Sequence, residues 1–286
     1  MSISTFIRRS FKKKRVVQYI DKNNQLPLLD KELSSVEVFA VDTEFDWRNT
    51  YFPKISLIQI ATKNKIFLID CLKLKTETVL RKYFEDKRYL KIFHSVRSDT
   101  NVLSKCLKIF TKNVYDIQIA EKIISNLEIK SYAKIVKKYF GTVLQKGETN
   151  SNWLKRPLTK NQINYAGDDV DYLIEIYYLQ KKILSKSNDF IEAVDFSNKE
   201  SDLGNKSLKE LRINKNKKRY SHRNKQIFIW REEVAEEDNV PPAYIFKEKY
   251  ISQLSKISVK DKSSKSKIMS IIGDSRITEK FIAKFL

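Results

Sequence analysis

Apolar and polar positions divide the chain into a region of alternating strands and helices and a later region of helices alone. Between 37 and 70, three apolar runs (VEVFAVD, ISLIQIAT and KIFLID) are joined by short polar turns, a pattern typical of an antiparallel meander. Two later runs, LKIFHS from 90 and NVYDI from 113, each follow a helical pattern, which predicts right-handed crossovers and parallel pairing. The predicted fold is a mixed five-stranded α/β sheet with helices on both faces.

The texture of the sequence changes after about residue 185. Polar segments follow, and 206–225 carries nine Lys or Arg residues against one acid. The remainder shows helical patterning alone, with short polar turns between the helices. We therefore predict a first domain over 1–190, a linker over 191–209 and a small all-helical domain over 210–286.

The charge of the chain indicates a polyanionic partner. Its 286 residues carry a formal net charge of +21, and an excess of this size makes nucleic acid the first candidate. Drift towards AT-rich codons, which raises the Lys content everywhere, is the alternative explanation for a chain rich in Lys, Ile and Asn. Charge alone does not separate RNA from DNA.

The sequence predicts a cytoplasmic protein without membrane association. No apolar run approaches the roughly 18 to 20 residues of a membrane-spanning helix. Cys71 and Cys106 are the only cysteines and neither lies in a CxxC pair, which argues against a disulfide framework or a zinc knuckle and fits a reducing cytosol. The opening MSISTFIRRSFKKKR lacks the apolar stretch of a secretory signal, although a basic, acid-free start leaves an organellar transit peptide as an alternative.

Two acids stand at the end of the first predicted strand. Asp42 and Glu44 are two residues apart and therefore point to the same face of the sheet. Like charges this close repel unless a cation or a proton lies between them, and oxygen ligands of this kind suit Mg²⁺ or Mn²⁺ rather than zinc. Two solvated acids at a strand end are the alternative interpretation.

A second group of polar residues lies on predicted helices. Asp99 falls in the first turn of the helix after the fourth strand, and Tyr165 and Asp169 are four apart on a later helix, so they share a face. Val170 continues an adjacent apolar stripe, which indicates that this face looks inward, whereas Asp168 points away as a solvated acid. A metal shared with Asp99 and the two strand acids would supply the partner that an inward-facing Tyr and Asp need.

Three motifs, DTEF from 42, HSVRSD from 94 and YAGDD from 165, resemble those of the DEDD 3′→5′ exonucleases, in the subclass whose third motif is Tyr-x-x-x-Asp. The resemblance is closer still to the ribonuclease D family, because TYFPKISLIQIA, YDIQIA and WLKRPLTKNQINYAGDDVDYL also match in order and spacing over about residues 35–185. A further stretch, WREEVAEEDNVPPAYIF from 230, is similar to the helicase-and-ribonuclease-D C-terminal (HRDC) domain. Ribonuclease D commonly carries two such domains, and this chain has room for one.

The resemblance implies a ribonuclease H-like fold and a site that hydrolyses phosphodiester bonds. Asp42, Glu44, Asp99 and Asp169 would be the catalytic carboxylates that bind two divalent ions, Mg²⁺ or Mn²⁺. Such ions lower the pKa of a bound water and neutralise the leaving 3′ oxygen. Tyr165 would orient the attacking water or help to remove its proton, and an ordinary tyrosine pKa near 10 favours orientation.

The spacing of His94 and Asp99 also matches a His-x-x-x-x-Asp third motif, which the sister subclass uses. His94 lies before a helix, where the second motif belongs, and a catalytic role for it would leave Tyr165 and Asp169 without a function. We therefore predict a hydrogen-bonded structural histidine.

The predicted nucleic-acid contacts are one aromatic residue beside the acids and cations from two segments. The aromatic residue, Phe45, could equally be a core residue. The cations lie in the loop before the Tyr165 helix and in the basic stretch, for which a solvated helix face is the alternative. They are Lys146, Lys155, Arg156, Arg212, Lys217, Lys218 and Arg219.

These observations lead us to expect a 3′→5′ exoribonuclease that releases nucleoside 5′-monophosphates. The substrates that the resemblance implies are tRNA precursors and other 3′-extended structured RNAs. A DNA exonuclease of the same superfamily is the first alternative, since the same acids serve DNA. A non-catalytic nucleic-acid-binding module is the second, although such a module should have lost at least one of the five site residues. The sequence indicates no obligate protein partner, and we expect a monomer.

Overall fold

The computed structural model shows most of the chain as two units. The residues it describes are 15–126, 128–145, 147–187, 189–216, 220–258 and 263–286. Within them, the first unit comprises the stretch up to Asp46 together with Lys54–Asn205, and the second comprises Trp47–Pro53 together with the stretch from Lys206 onwards. In this described part of the chain, no helix is both long enough and apolar enough to cross a membrane.

The first unit contains a sheet whose strand order is β1-β4-β3-β2-β5-β6. The antiparallel pairs β2–β3 and β3–β4 confirm the predicted meander, and the parallel pairs β2–β5 and β5–β6 confirm the predicted parallel pairing. The strands are β1 (Val16–Ile20), β2 (Val38–Asp46), β3 (Lys54–Ala61), β4 (Lys65–Asp70), β5 (Leu90–Phe93) and β6 (Val114–Asp116).

The prediction of five strands is wrong, because β1 adds a sixth strand that pairs in parallel with β4. Its sequence VVQYI directly follows the basic start of the chain and shows no clear alternation of apolar and polar residues. As an edge strand it pairs on one side only, and Val16 and Val17 remain 61% and 44% exposed. Its place in the sheet therefore depends on β4 rather than on a local pattern.

Helices cover both faces of this sheet, as predicted. One apolar core lies between the sheet and α1, α2 and α3, and a second lies between the sheet and α4 to α7. Tyr172 interrupts the helical stretch 160–184 and separates α6 from α7. The helices are α1 (Leu26–Ser34), α2 (Glu77–Phe84), α3 (Val96–Leu107), α4 (Ile117–Ile124), α5 (Tyr132–Phe140), α6 (Lys160–Asp171), α7 (Leu173–Leu184) and α8 (Asp189–Asn205).

Helix α8 occupies most of the stretch that the sequence predicts to be a linker, 191–209. It covers the outer edge of β6, where the Asp116 N–H donates to the Ser197 hydroxyl at 2.9 Å. Near its end, a Cβ on Gly204 would lie 2.5 Å from a backbone oxygen of α3, so this position requires glycine. The buried face of α8 is thus built from small and polar residues. Such residues indicate a linker in the sequence alone, because the edge of β6 against which they pack is distant in the chain.

The second unit is all-helical within the described residues, as predicted, and it also holds the loop Trp47–Pro53. The ring of Tyr51 is fully buried in its core, with the Arg212 guanidinium 4.8 Å above the ring. The Phe52 N–H donates to the Asn239 side chain at 3.1 Å. The helices are α9 (Leu208–Asn216), α10 (His222–Glu237), α11 (Pro242–Ile245), α12 (Ile251–Leu254), α13 (Ser264–Ile272) and α14 (Ser275–Phe285).

Candidate functional site

Strand β2 and helix α6 bring three acids together. Side chains alternate along β2, so Asp42 and Glu44 point to the face against which α6 packs, while the half-buried Phe45 packs against the core of the opposite face. Asp169 projects from α6 towards the strand. One carboxylate oxygen from each of the three residues lies within 4.8 Å of the others. We call Asp42, Glu44 and Asp169 the acid cluster.

The fourth predicted acid, Asp99, lies beside this cluster in the first turn of α3. It is 4% exposed, and its carboxylate accepts a hydrogen bond of 2.6 Å from the Thr43 hydroxyl. The sequence analysis predicts no role for Thr43. Its place between the two strand acids nevertheless puts it on the other face of β2, where α3 packs. One strand therefore presents acids on one face and a donor to Asp99 on the other.

The start of α3 is anchored by Asp116. Its carboxylate accepts from the N–H groups of Ser95, at 3.0 Å, and Val96, at 2.8 Å. It also accepts from Gln118 N at 2.8 Å, so Asp116 is the N-cap of α4. The helix begins at Val96, and Ser95 precedes it in a left-handed conformation.

Burial raises the pKa of every acid in this group, and the charges of acidic neighbours add to it. Burial is the largest cause at Asp42, followed by the charges of its acidic neighbours, and its pKa lies well above the ordinary value. The same causes raise the pKa of Glu44 to about 9. Burial raises the pKa of Asp99 to about 7, although hydrogen bonds from Thr43 and Asp42 oppose it, and burial likewise raises that of Asp169 to about 7. The group therefore holds protons near neutral pH that a cation would displace.

The donor set fits a divalent metal ion. The three clustered groups offer carboxylate oxygens alone, without His or Cys, and this chemistry suits Mg²⁺ or Mn²⁺. The buried Asp99 adds a fourth carboxylate next to Asp42. An ion bound here would convert like-charge repulsion into attraction.

Tyr165 lies on α6 one turn before Asp169. Its hydroxyl is 3.1 Å from the Thr149 hydroxyl, and the ring of Trp153 packs against its own with 6.0 Å between centroids. Burial, followed by the charge of Asp169, raises the pKa of Tyr165. The phenol therefore keeps its proton at neutral pH, which suits the orientation of a water molecule better than proton removal. Asp168 is exposed, as predicted.

His94 occupies a hydrogen-bonded position outside the acid cluster. Its Nε2 lies 3.2 Å from the Lys130 carbonyl oxygen and 3.2 Å from the Gln118 amide. Burial lowers its pKa, so the ring is neutral at pH 7. These contacts agree with the predicted structural histidine.

The predicted nucleic-acid contacts have varied surroundings. Arg156 is hydrogen-bonded inside the first unit, and Arg212 pairs with the buried Glu232 at 2.8 Å inside the second, so neither extends freely towards solvent. Phe45 is half-buried against one core of the first unit, and Lys155 is exposed in the loop before α6. The remaining four, Lys146, Lys217, Lys218 and Arg219, lie outside the described residues.

Comparisons with known proteins support the resemblance to ribonuclease D. Ribonuclease D of Desulfotalea psychrophila is 28% identical over 247 residues, which cover 83% of this chain and 66% of the relative. The chain thus spans just under two thirds of that relative's length. The crystal structure of Escherichia coli RNase D aligns with a TM-score of 0.78 at 23% identity, over 94% of this chain and 76% of that one. Brucella melitensis NrnC with bound Mg²⁺ aligns with a TM-score of 0.58 at 20% identity, over 73% of this chain and 100% of that one.

At these identities the two structures establish the fold, a mixed α/β sheet with flanking helices. A family model described as 3′-5′ exonuclease matches residues 17–185, which is more than half of the chain and includes all four acids and Tyr165. The chain therefore belongs to the 3′-5′ exonuclease family.

Proposed function

We propose that the protein is a metal-dependent 3′→5′ exoribonuclease of the ribonuclease D type. The observation that carries the proposal is the meeting of Asp42, Glu44 and Asp169 within 4.8 Å, in a member of the 3′-5′ exonuclease family. Asp99 lies beside them, and Tyr165 lies one turn away on the helix that bears Asp169. The five residues that the sequence singles out are thus assembled around one place in the first unit.

In this proposal the four carboxylates bind two divalent ions, Mg²⁺ or Mn²⁺, and the Mg²⁺ in NrnC supports that choice. Ions bound there would make a water molecule nucleophilic near neutral pH and neutralise charge on the leaving 3′ oxygen. Thr43 holds the carboxylate of Asp99 in place. Tyr165, as a neutral phenol, orients the attacking water by a hydrogen bond.

The proposed substrate is RNA with a 3′ extension, such as a tRNA precursor, and the products are nucleoside 5′-monophosphates. The support is the name of the relatives, Ribonuclease D, and the description of the Escherichia coli protein as an exoribonuclease involved in structured RNA processing. A net charge of +21 suits a polyanionic substrate. We further propose that the helical unit is an HRDC-like domain and that the protein acts as a monomer in the cytoplasm.

The test is digestion of a 5′-labelled tRNA precursor that carries a 3′ trailer. We expect stepwise shortening from the 3′ end with Mg²⁺ or Mn²⁺, and no shortening with EDTA or in Asp42→Asn. Asp168→Asn is the matched control, because it removes the neighbouring exposed acid on the same helix and should remain active. Internal cleavage, or an RNA left intact by the wild-type protein, would contradict the proposal.

The same assay separates the alternatives. A DNA strand of matched sequence should be shortened more slowly than RNA, and the opposite order would indicate a DNA exonuclease. Retention of RNA on a filter without any shortening would indicate a binding module.

A further inference from the structure

The pairing of β2 with β3 contains one irregularity beside the acid cluster. Glu44 pairs with Leu57, whereas the next residue, Phe45, pairs with Ile55, so Ser56 is an additional residue on β3. A bulge of this kind bends the strand and leaves a residue outside the regular ladder. The geometry at Glu44 therefore depends on what holds Ser56.

Ser56 is completely buried, and its carbonyl oxygen and its hydroxyl are both hydrogen-bonded. Its carbonyl oxygen accepts from Cys71 N at 3.0 Å and from Arg156 Nη2 at 3.1 Å. Its hydroxyl accepts from the same Nη2 at 3.0 Å and donates to the carbonyl oxygen of Trp153. The bulge is thus fastened to the loop that precedes α6.

Asp70 fixes the guanidinium of Arg156 in this position. Its fully buried carboxylate accepts Nε at 2.7 Å and Nη2 at 2.9 Å, and it accepts the Tyr19 hydroxyl at 2.6 Å. Burial alone would raise the pKa of Asp70, but the hydrogen bonds from Arg156 and Tyr19 hold it below the ordinary value, so the carboxylate is ionised. A two-point pair of this kind fixes direction as well as distance.

The remaining N–H groups of Arg156 bind the loop backbone. Nη1 donates to Trp153 O at 2.7 Å and to Lys155 O at 2.9 Å. All five N–H groups of the guanidinium therefore have acceptors inside the first unit. A phosphate could approach this group only by breaking those bonds.

The loop held by Arg156 leads directly to Tyr165. Trp153 is 2% exposed, and its ring is 6.0 Å from the Tyr165 ring. Gln162, in the first turn of α6, donates to the Ser151 hydroxyl at 2.8 Å. The position of the loop therefore influences the position of the Tyr165 phenol, through the packing of Trp153 and through the hydrogen bond of Gln162.

We propose that Arg156 and Asp70 are positioning residues, whose buried ion pair sets the distance between the Glu44 end of β2 and Tyr165. This inference rests on the proposed hydrolysis, and it replaces the phosphate contact that the sequence predicts for Arg156. The pair acts through Ser56 on one side and through Trp153 on the other.

The experiment measures kcat and KM on a single-stranded RNA for Arg156→Lys and Asp70→Asn. Lysine keeps the charge but not the two-point geometry, and asparagine keeps the shape but not the charge. We expect each change to lower kcat by about 100-fold, the cost of about 1 Å of misplacement, with KM nearly unchanged. The kcat of the double variant should be no lower than that of the less active single variant, because both changes break the same ion pair.

Arg88 and Asp86 offer a matched control. They pair the same two residue types, with Arg88 Nε and Nη2 both donating to Asp86 Oδ2 at 2.8 and 2.6 Å, but the Arg88 side chain is 81% exposed. Arg88→Lys and Asp86→Asn should leave both kcat and KM unchanged. An equal loss in these variants would show that charge, not position, causes the effect.

A phosphate contact gives a different result. Arg156→Met would then raise KM, and the slope of log K for RNA binding against log salt concentration would become smaller by about one. Asp70→Asn would have little effect. That outcome, or an unchanged kcat in Asp70→Asn, would overturn the proposal.

Trypsin supplies a readout that does not depend on hydrolysis of RNA. Lys155 is exposed, so release of the loop should make cleavage after Lys155 faster in Asp70→Asn than in wild type or Asp86→Asn. An inactive wild-type protein would contradict the proposed function alone, while the trypsin rates would still decide whether the pair holds the loop. Equal rates in the three proteins would contradict the positioning role.

Discussion

Replacing Asp42 with asparagine should stabilise the metal-free protein, although it removes a proposed metal ligand. Burial and three acidic neighbours raise the pKa of Asp42, so its ionised form is unfavourable in the folded state. Asparagine has nearly the same shape and no charge. The exchange therefore removes repulsion without opening a cavity.

The size of the effect follows from the geometry of the acid cluster. The carboxylate oxygens lie within 4.8 Å of one another, and two unit charges at that upper limit repel by about 3.5 kcal/mol at an effective dielectric constant of about 20. Asp42 has two neighbours at this range, but proton uptake relieves part of the repulsion. We expect the free energy of unfolding to rise by about 2–4 kcal/mol, which corresponds to about 5–10 °C in Tm for a unit of this size.

The assay is thermal unfolding at about pH 8 in EDTA and in Mg²⁺. Mg²⁺ should raise the Tm of the wild-type protein, because it binds the folded state, and it should raise that of Asp42→Asn much less. Asp168→Asn, which removes an exposed acid, should behave like wild type. Melting of Asp42→Asn at or below the wild-type temperature in EDTA, or an equal rise in the Tm of Asp168→Asn, would contradict this expectation.

Three further outcomes follow from the site and the cores. The pKa of Glu44 is about 9 in the folded protein against 4.5 ordinarily, so the native state keeps a proton that the unfolded chain has released. The free energy of unfolding in EDTA should therefore fall as the pH rises from about 5 through 9. Urea unfolding measures this free energy, and an increase with pH would contradict the expectation. Tyr165→Phe should lower kcat by about 100-fold while His94→Ala leaves it nearly unchanged; the reverse result in a nuclease assay would assign the third motif to the sister subclass. Tyr51→Ala should destabilise the helical unit by about 3–5 kcal/mol, because the ring is fully buried; calorimetry would show a lower transition, and an unchanged one would refute the packing.

The acid cluster was predictable because its members obey local rules. Alternation along a strand puts Asp42 and Glu44 on one face, and helical spacing puts Tyr165 and Asp169 on one side. A shared metal was then the simplest reason for these acids to meet. The structure brings carboxylate oxygens of Asp42, Glu44 and Asp169 within 4.8 Å of one another.

The features that escaped prediction depend on partners far away in the chain. β1 has a weak pattern because only β4 pairs with it, and α8 turns small polar residues such as Ser197 towards the edge of β6. Arg156 is similar: a cation in a loop near acids indicates phosphate binding, yet Asp70, 86 residues earlier, takes up its guanidinium. A local sequence pattern covers a short segment, so it cannot include both residues of such long-range contacts.

The loop Trp47–Pro53 has a consequence for the order in which the protein can be completed during synthesis. The loop joins β2 to β3, but Tyr51 packs among helices of the second unit, and Glu232, to which its hydroxyl bonds, follows 181 residues later. At a translation rate of about 5–20 residues per second, about 10–40 s separate the two residues on the ribosome. In that interval the tyrosine has no core to enter. We therefore expect the β2–β3 connection to reach its final packing only when the C-terminal helices have emerged, so that a nascent chain halted before them would expose Tyr51 to chaperones and proteases.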